Sequence, residues 1–583
     1  VASRIEATPP RPESYEEREG YIVPIFGGRK KKKEAAFDSG VWRNSDAAAK
    51  ERLTPPPSEV DEAQRAYSSS RSSEIARDLR ELVRDSQIVE APGELQTFAY
   101  DASFETQLRP RLPEAAVIAG SEEDVVAVMK YAHEHSIPVT TRGAASGQAA
   151  GAAPYAGGIV LAMNAMNRVI EVDGANLQAF CEPGVVHAQL NAALKPSGLV
   201  FPPDPGSSKM ATVGGMASTN AAGMRALKYG ATSAWVLGLN VVLPDGTLIE
   251  TGSVGSRAKQ SSAGLELTKL LVGAEGTLGV ITRLRLKLMP IPPSRAIVTA
   301  TFDDVEDAGR AVQETFAAGV SPSAIEILDE RCIQSINKYR PGMDLPSVEA
   351  MLLFEVDGNP EGCRADAEKI SEVVAPLSRE VEWSDEPERI ATLWEARSLV
   401  GAAIGALRPG SNRAYCGEDI CAPVSRIPET LRKIQEISAK HDILIATYGH
   451  IGGGNLHPGH LIDARDPDEI RRVLLVADDI HALALEMGGT ITGEHGVGAA
   501  RVAYMEREHG PALDAMRAIK AALDPKGIMN PGKLFPDKVS DSQPEGPASP
   551  ARVGENAEDE RQIPVPHPDG AAQKPRHESP PLE

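Results

Sequence analysis

The segment PPDPGSSKMATVGGMASTNAAGMRALKYG, residues 202–230, most narrows what this chain can fold into. Pro202, Pro203 and Pro205 stiffen an extended entry, because the pyrrolidine ring removes freedom in φ. Thr212, Gly214, Gly215, Ser218, Asn220 and Gly223 then offer small side chains, hydroxyls and uncovered amides. Such backbone can close around a diphosphate and the polar edge of a ring. A second glycine loop, LLVGAEGTLGVIT at 270–282, sets Gly273, Glu275, Gly276, Thr277 and Gly279 before a strand at Val280–Ile281. A third, TTRGAASGQAAGAA at 140–153, holds Arg142, Gly143, Ser146, Gly147 and Gly151 in a turn after a strand. Taken singly, each loop also reads as a turn or a small-residue packing seam. None is the GxGxxG pattern opening a helix, so a Rossmann dinucleotide site fits poorly.

The flanking sequence alternates helix and strand. SEEDVVAVMKYAHEHS (121–136) has helical periodicity, with Ser121 as N-cap and acids in the first turn. AAVIAG before it and IPVTTRG after it make a strand–helix–strand unit. Short β runs and glycines alternate from 140 to 290, with PDG at 244–246 as a hairpin turn. A second α+β pattern runs from 292 to about 440, and helices dominate after 466. A chain of 583 residues with 42% hydrophobic and 25% charged content predicts a soluble protein of several domains. A net charge of −21 excludes general nucleic-acid binding, which needs a positive footprint. The five cysteines, Cys181, Cys332, Cys363, Cys416 and Cys421, are scattered. That spacing predicts neither a disulfide framework nor an iron–sulfur cluster, and points to a reducing, cytoplasmic setting. No apolar run is expected to span a bilayer and no signal-peptide core is evident.

The scarce histidines concentrate. GHIGGGNLHPGH (449–460) holds His450, His457 and His460, a quarter of the chain's twelve, and TGEHGVG (492–498) adds Glu494 and His495. His450 and His457 are seven apart, so helical spacing does not apply; the glycines at 452–454 let the chain turn both imidazoles toward one point. By themselves, two histidines near glycines more often play a structural part than bind metal.

Seven motifs in order, TRGAASG, PPDPGSSKMATVGGMASTNAAG, KYG, LLVGAEGTLGVIT, GHIGGGNLHP, GEHGVG and GIMNPGKLF, resemble FAD-linked oxidoreductases of the vanillyl-alcohol-oxidase type. The likeness, from about 95 to 536, is to the D-2-hydroxyacid dehydrogenase branch. That branch includes glycolate oxidase flavin subunits, D-lactate dehydrogenases and D-2-hydroxyglutarate dehydrogenases. It implies an α+β fold with a disordered tail (1–70), a two-lobed FAD-binding domain (71–291) and an α+β substrate or cap domain carrying a metal loop (292–490). A C-terminal helical segment closing on FAD (491–536) and a second disordered tail (537–583) complete it. Arg142–Gly147, with Gly143 and Ser146, and Thr212–Gly215 would hold the FAD pyrophosphate. Pro203, Asp204, Asn220 and Gly223 would line the cofactor, Ser218, Glu275, Gly276 and Gly279 would supply its glycine loops, and Ile281 would meet the adenine side. Asn530 and Lys533 would return the C-terminus to the flavin ring. Ala144, Ala145 and Ser146 replace the family's glycines and threonine, and no His or Cys sits in that loop, so FAD is expected to be non-covalent.

In that context His450, His457 and Glu494 become ligands of a divalent metal, zinc by ligand type, or manganese or iron. Gly453 stands where the family commonly has an acid, which weakens support around the metal. His460 is read as a neighbour of the ligands or a surface group. His495 is the expected base, Arg397 the carboxylate binder with Arg413 a weaker candidate, and Asn455 a donor to substrate or ligand. The predicted reaction is oxidation of a D-2-hydroxyacid such as D-lactate, glycolate or D-2-hydroxyglutarate, with hydride passing to flavin N5. Electrons would leave to an external quinone, iron–sulfur subunit, electron-transfer flavoprotein or cytochrome. Three alternatives stay open: an oxygen-using oxidase, or an alkylglycerone-phosphate-synthase-like enzyme, on the same fold; a metal-dependent hydrolase; and a subunit holding flavin only for assembly. YIVPIFGGRKKKK (21–33), apolar then basic, is a candidate for peripheral membrane or partner docking.

Overall fold

Residues 115–162 build a parallel sheet whose first crossover is helical. Strands Ala115–Ile118, Ile159–Ala162 and Val139–Arg142 run parallel, with Ile88–Val89 antiparallel at the edge. The helix Glu122–His135 makes the crossover. Ser121 Oγ accepts from the Asp124 amide while the Asp124 carboxylate accepts from the Ser121 amide. This reciprocal cap is worth about 1 kcal/mol. Val125, Val128, Met129 and Ala132 form the helix's buried face. This computed structural model describes residues 69–536 apart from Arg109. The two expected tails and the 21–33 stretch lie outside the described residues.

The second sheet is antiparallel, in the order Val169–Asp173, Gln178–Cys181, Val280–Lys287, Val236–Val242, Leu248–Glu250. Its last hairpin turns at the expected PDG, where Gly246 takes φ +83° and donates to the Leu243 carbonyl at 2.9 Å. The third sheet, entirely antiparallel, follows the order Glu380–Ser384, Ser294–Phe302, Ala350–Gly358, Ala324–Asp329, Leu444–Gly449, Asn455–Ile462, Asn412–Ala414. Its central strands are covered on both faces, so they read as continuous apolar runs rather than alternating ones. Val298, Ala300, Phe302, Leu352 and Phe354 pack against helices Val305–Ala317, Pro360–Val374 and Ile427–His441. Ile297, Met351 and Leu353 face Glu330–Tyr339 and Pro387–Ala403.

Residues 387–407 are, among the described residues, long and apolar enough to cross a membrane, contrary to the sequence expectation. The helix instead packs Leu393, Val400 and Ala403 into the core beneath the third sheet. The expected boundary at 291 marks a change of sheet. Contacts nevertheless hold the described residues in one compact unit. Arg225 binds Glu355 through two parallel bonds, at 2.7 and 2.9 Å, and Lys228 binds Asp357 at 2.6 Å, tying the connection between the second sheet's strands Gln178–Cys181 and Val236–Val242 to the third sheet. The C-terminal segment joins the first sheet: Val139 donates to the Ile528 carbonyl and Asn530 donates back to Val139, both at 2.8 Å.

Candidate active site

The three glycine loops meet because small residues permit close approach. A Cβ on Gly143 would lie 2.4 Å from Thr212 Oγ1, so only glycine brings the 140–153 loop onto the 212–219 turn. Thr212 in turn caps the helix Val213–Thr219 by accepting from the Gly215 amide. The third loop is fastened by Glu275. Its buried carboxylate accepts from the Val497 and Gly498 amides, each at 2.7 Å. LLVGAEGT and GEHGVG, more than two hundred residues apart, thereby become one wall. Burial raises the Glu275 pKa, and the two amides hold it back.

A cavity of about 560 Å³ runs along this wall into the third sheet's end. Arg142, Gly143, Ser146, Gly147, Thr212, Gly214, Gly215, Ser218, Glu275, Gly279 and Ile281 line one part; Arg397, Arg413, Tyr415, Tyr448, His450, His457, Glu494 and His495 line the other. The loop end suits a dinucleotide. Its surface is backbone and small side chains, Gly147 faces open space, and its acids are spoken for: Glu275 by two amides, Asp101 by Ser103, Thr106 and Ala152. A diphosphate there meets no unpartnered carboxylate.

Arg142 lines the cavity, and other expected cofactor residues lie behind that lining. The Arg142 guanidinium donates to the carbonyls of Tyr100 (2.8 Å) and Thr97 (3.0 Å), so its charge holds the 97–100 turn. Asp204 pairs with Arg225, and a Cβ on Gly223 would strike the Asp204 carbonyl at 2.2 Å; with buried Pro203 these residues shape a turn beneath the cavity. Asn220 ends the 213–219 helix at φ +52° and accepts from the Ser233 amide. Gly276 fits against Thr141 Oγ1. Asn530 donates to the carbonyls of Gly151 and Glu275, and Lys533 to that of Ala153, so both hold the glycine loops together from behind. Burial brings the Lys533 pKa down to about 8.

At the other end the histidines sit on a hairpin. Strands Leu444–Gly449 and Asn455–Ile462 pair Tyr448 with His457, and His450 follows the first strand. Gly454, at φ +80°, closes the turn where a Cβ would lie 1.9 Å from the Ala422 carbonyl. His450 Nδ1 stands 2.7 Å from Glu326 Oε1 and His457 Nδ1 3.1 Å from the Glu418 carbonyl. Both partners only accept, so both Nδ1 atoms carry hydrogen. The two Nε2 atoms converge on Glu494 Oε1, at 3.2 and 3.3 Å. Two imidazole lone pairs facing a carboxylate oxygen require a positive charge between them, either a proton or a cation. Burial lowers the His450 pKa, yet Glu326 and Glu494 together carry it up to about 10. These three ligand atoms are close enough to share one ion.

His495 lies beside them, its ring stacked on His457 at 5.2 Å between centroids. Its Nδ1 faces Glu418 Oε1 at 3.1 Å, which leaves the Nε2 lone pair 3.7 Å from Glu494. Burial opposes its protonation, while Asp419 and Glu418 raise its pKa overall. Asp419 anchors the loop by accepting from the amides of Glu494 and His495 and from the Thr492 hydroxyl. Asn455 is outside the cavity wall and donates to Asp419 at 2.9 Å. His460 is fully buried, not a surface group.

The two arginines of this end differ in their pairing. Arg397 is buried and gives two bonds to Glu326, at 2.6 and 2.7 Å. Arg413 donates to the Tyr448 hydroxyl, stacks on Tyr415 at 4.4 Å, and makes no ion pair among the described residues. Glu326, Glu418, Asp419, Tyr415 and Tyr448 were missed. A carboxylate inside the apolar strand AIEILD, and the acid pair in CGEDIC, were the available signals.

Residues 113–252 match the family model "FAD binding domain", and residues 291–534 match "FAD linked oxidases, C-terminal domain". The chain is 38% identical to the glycolate oxidase subunit GlcD of Bacillus subtilis, over 75% of this chain and 92% of that one. It is 35% identical to a probable mitochondrial D-lactate dehydrogenase of Danio rerio, over 73% and 85%, and to a D-lactate dehydrogenase of Anaerostipes hadrus, over 72% and 89%. The chain belongs to the FAD-linked oxidases. It is a flavoprotein oxidoreductase. The fold is that of p-cresol methylhydroxylase (TM-score 0.66, 19% identity, 79% of this chain and 96% of that one) and of 4-ethylphenol oxidase from Gulosibacter chungangensis (0.65, 20%, 81% and 98%).

Proposed function

We propose that this FAD-linked oxidase converts a D-2-hydroxyacid, of the D-lactate, glycolate or D-2-hydroxyglutarate class, to the 2-oxoacid. The observation that carries the reading is the convergence of His450, His457 and Glu494 on one point, with His495 and an uncompensated Arg413 in the same cavity as the flavin loops. Relatives bear the names glycolate oxidase subunit and D-lactate dehydrogenase, which supports it. Charge counting supports it further. Three buried carboxylates (Glu326, Glu418, Asp419) and the partly buried Glu494 face two paired guanidiniums (Arg397, Arg501), leaving two negative charges to be matched by protons on His450 and His495 or by a cation. A divalent cation balances those two, and a substrate carboxylate balances Arg413.

His450, His457 and Glu494 would hold the cation, and their mixed donor set favours zinc, with manganese or iron as the other candidates. Such a cation lowers the pKa of a hydroxyl bound to it. Bound FAD supplies the hydride acceptor. Arg413 binds the substrate carboxylate with a planar fork. His495, its Nδ1 hydrogen fixed by Glu418, takes the hydroxyl proton at Nε2. Arg397 acts through Glu326, which holds the His450 ring and its tautomer. Because the described cysteines form no cluster with metal-site spacing, electrons pass to an external acceptor.

The test is dye-linked turnover with a panel of 2-hydroxyacids, before and after chelation. Activity with D-acids that falls on chelation and returns with a divalent metal is expected. A flavoprotein that turns over none of them would defeat the proposal. Peroxide released in stoichiometric amount would identify oxygen as the acceptor.

A further inference from the structure

The helix Pro387–Ala403 carries a glycine, Gly401, on the face that borders the substrate end of the cavity. Glycine inside a helix costs about 1 kcal/mol relative to alanine. Neither backbone nor packing demands it here. Gly401 has no positive φ, and a Cβ would find its nearest neighbour, Arg413 Nη1, at an ordinary 3.5 Å. What the missing side chain leaves free is the space over Arg413. Ser398, nearly one turn earlier and exposed, lines the same wall. Tyr415 and Tyr448, both packed on the Arg413 guanidinium, line the same end. Gly401, Ser398 and both tyrosines are uncharged. Arg397, the other guanidinium at this end, is neutralised by Glu326.

We infer that the substituent on the substrate's α-carbon lies across Gly401, and that this position selects 2-hydroxyacids with bulky, uncharged side chains. The inference rests on the proposed function, with the substrate carboxylate on Arg413. Once Arg413 is so engaged, a second carboxylate meets no unpaired cation at this end of the cavity among the described residues. A neutral branched or aromatic substituent instead gains contact with the tyrosine faces and an exit past Ser398.

The test compares kcat/KM of the holoenzyme for glycolate, D-lactate, D-2-hydroxy-4-methylpentanoate, D-3-phenyllactate and D-2-hydroxyglutarate, in wild type, Gly401→Ala and Gly401→Leu. Wild type should prefer the two bulky neutral acids to glycolate by about tenfold or more, the yield of one or two well-buried methylenes. Gly401→Leu should remove that preference, lowering the bulky acids about tenfold more than glycolate. Gly401→Ala should fall between. Leucine and alanine both favour helix over glycine, so Tm should hold or rise, and a loss of turnover will not reflect misfolding. Preference of the wild type for glycolate or D-2-hydroxyglutarate would overturn the inference, as would an unchanged ratio in Gly401→Leu. Turnover of none of the five acids would instead sink the underlying functional reading.

Discussion

Replacing Arg413 by methionine separates two guanidiniums that sequence alone could not rank. Methionine keeps the apolar stem's bulk and removes the charge. Arg397 cannot take over, because its charge is already balanced by Glu326, whose Oε2 it holds at 2.6 and 2.7 Å. The loss is therefore that of a charge-assisted, bidentate carboxylate contact in a buried site, about 3–4 kcal/mol. That corresponds to a fall of about 10²–10³ in kcat/KM, at 1.36 kcal/mol per decade. Arg413→Lys keeps the charge but loses the planar fork and its stacking on Tyr415, so a smaller loss, about tenfold, is expected. FAD content and Tm should stay near wild type, since among the described residues no carboxylate forms an ion pair with Arg413. Arg397→Met should behave oppositely. It strips Glu326 of its cation and costs about 3–5 kcal/mol of stability. Steady-state kinetics with a dye acceptor, alongside thermal melts of all three variants, reads both quantities. An Arg413→Met enzyme with unimpaired kcat/KM, beside an Arg397→Met enzyme of normal Tm and greatly raised KM, would refute the charge assignment.

Three further outcomes follow from the geometry. Glu275→Ala leaves two buried amides, those of Val497 and Gly498, without an acceptor, at about 1–3 kcal/mol each; a lowered Tm and weaker FAD retention should appear together in melts and cofactor titrations. Glu326→Gln should weaken metal affinity about 10- to 100-fold, read by competition with a chromophoric chelator, because it supports His450 at the ring nitrogen opposite Glu494; unchanged affinity would speak against a cation there. Acid should destabilise the fold through His481 and His460. Burial pushes their pKa values down to about 3 and about 4, so below 6.5 the unfolded chain binds protons that the folded chain does not. Stability then falls as pH drops, by about 2 kcal/mol per histidine at pH 5. Urea titrations at pH 7.5 and 5 should show that His481→Gln recovers about half of the pair's share, and an identical pH dependence in the variant would contradict this.

Local signals in the sequence located much of the fold. Ser121 with Asp124 three residues on marks a helix start, PDG marks a hairpin, and both lie where expected. The histidine and glycine clustering likewise brought His450, His457, Glu494 and His495 into one neighbourhood. What stayed illegible is pairing over long separations. Arg397 and Glu326 are 71 residues apart, Glu275 and Val497 are 222 apart, and Asp419 reaches Glu494 across 75. No periodicity records which acid will stand opposite which arginine. For the same reason Arg142, Asp204, Asn220 and Asn530 read as cofactor contacts by motif, yet their side chains hold the loops that line the cavity. Asn455 likewise makes a contact its motif does not disclose, donating to Asp419 across 36 residues.

The most direct measurement is an anaerobic titration of the metal-loaded flavoprotein with D-lactate and L-lactate, following flavin absorbance together with the 2-oxoacid formed. Bleaching by the D-acid alone, one 2-oxoacid per flavin, slowed strongly in His495→Asn and after chelation, is the predicted result. Flavin that stays oxidised with D-lactate, glycolate and the larger 2-hydroxyacids would contradict the account, as would reduction indifferent to both chelator and His495.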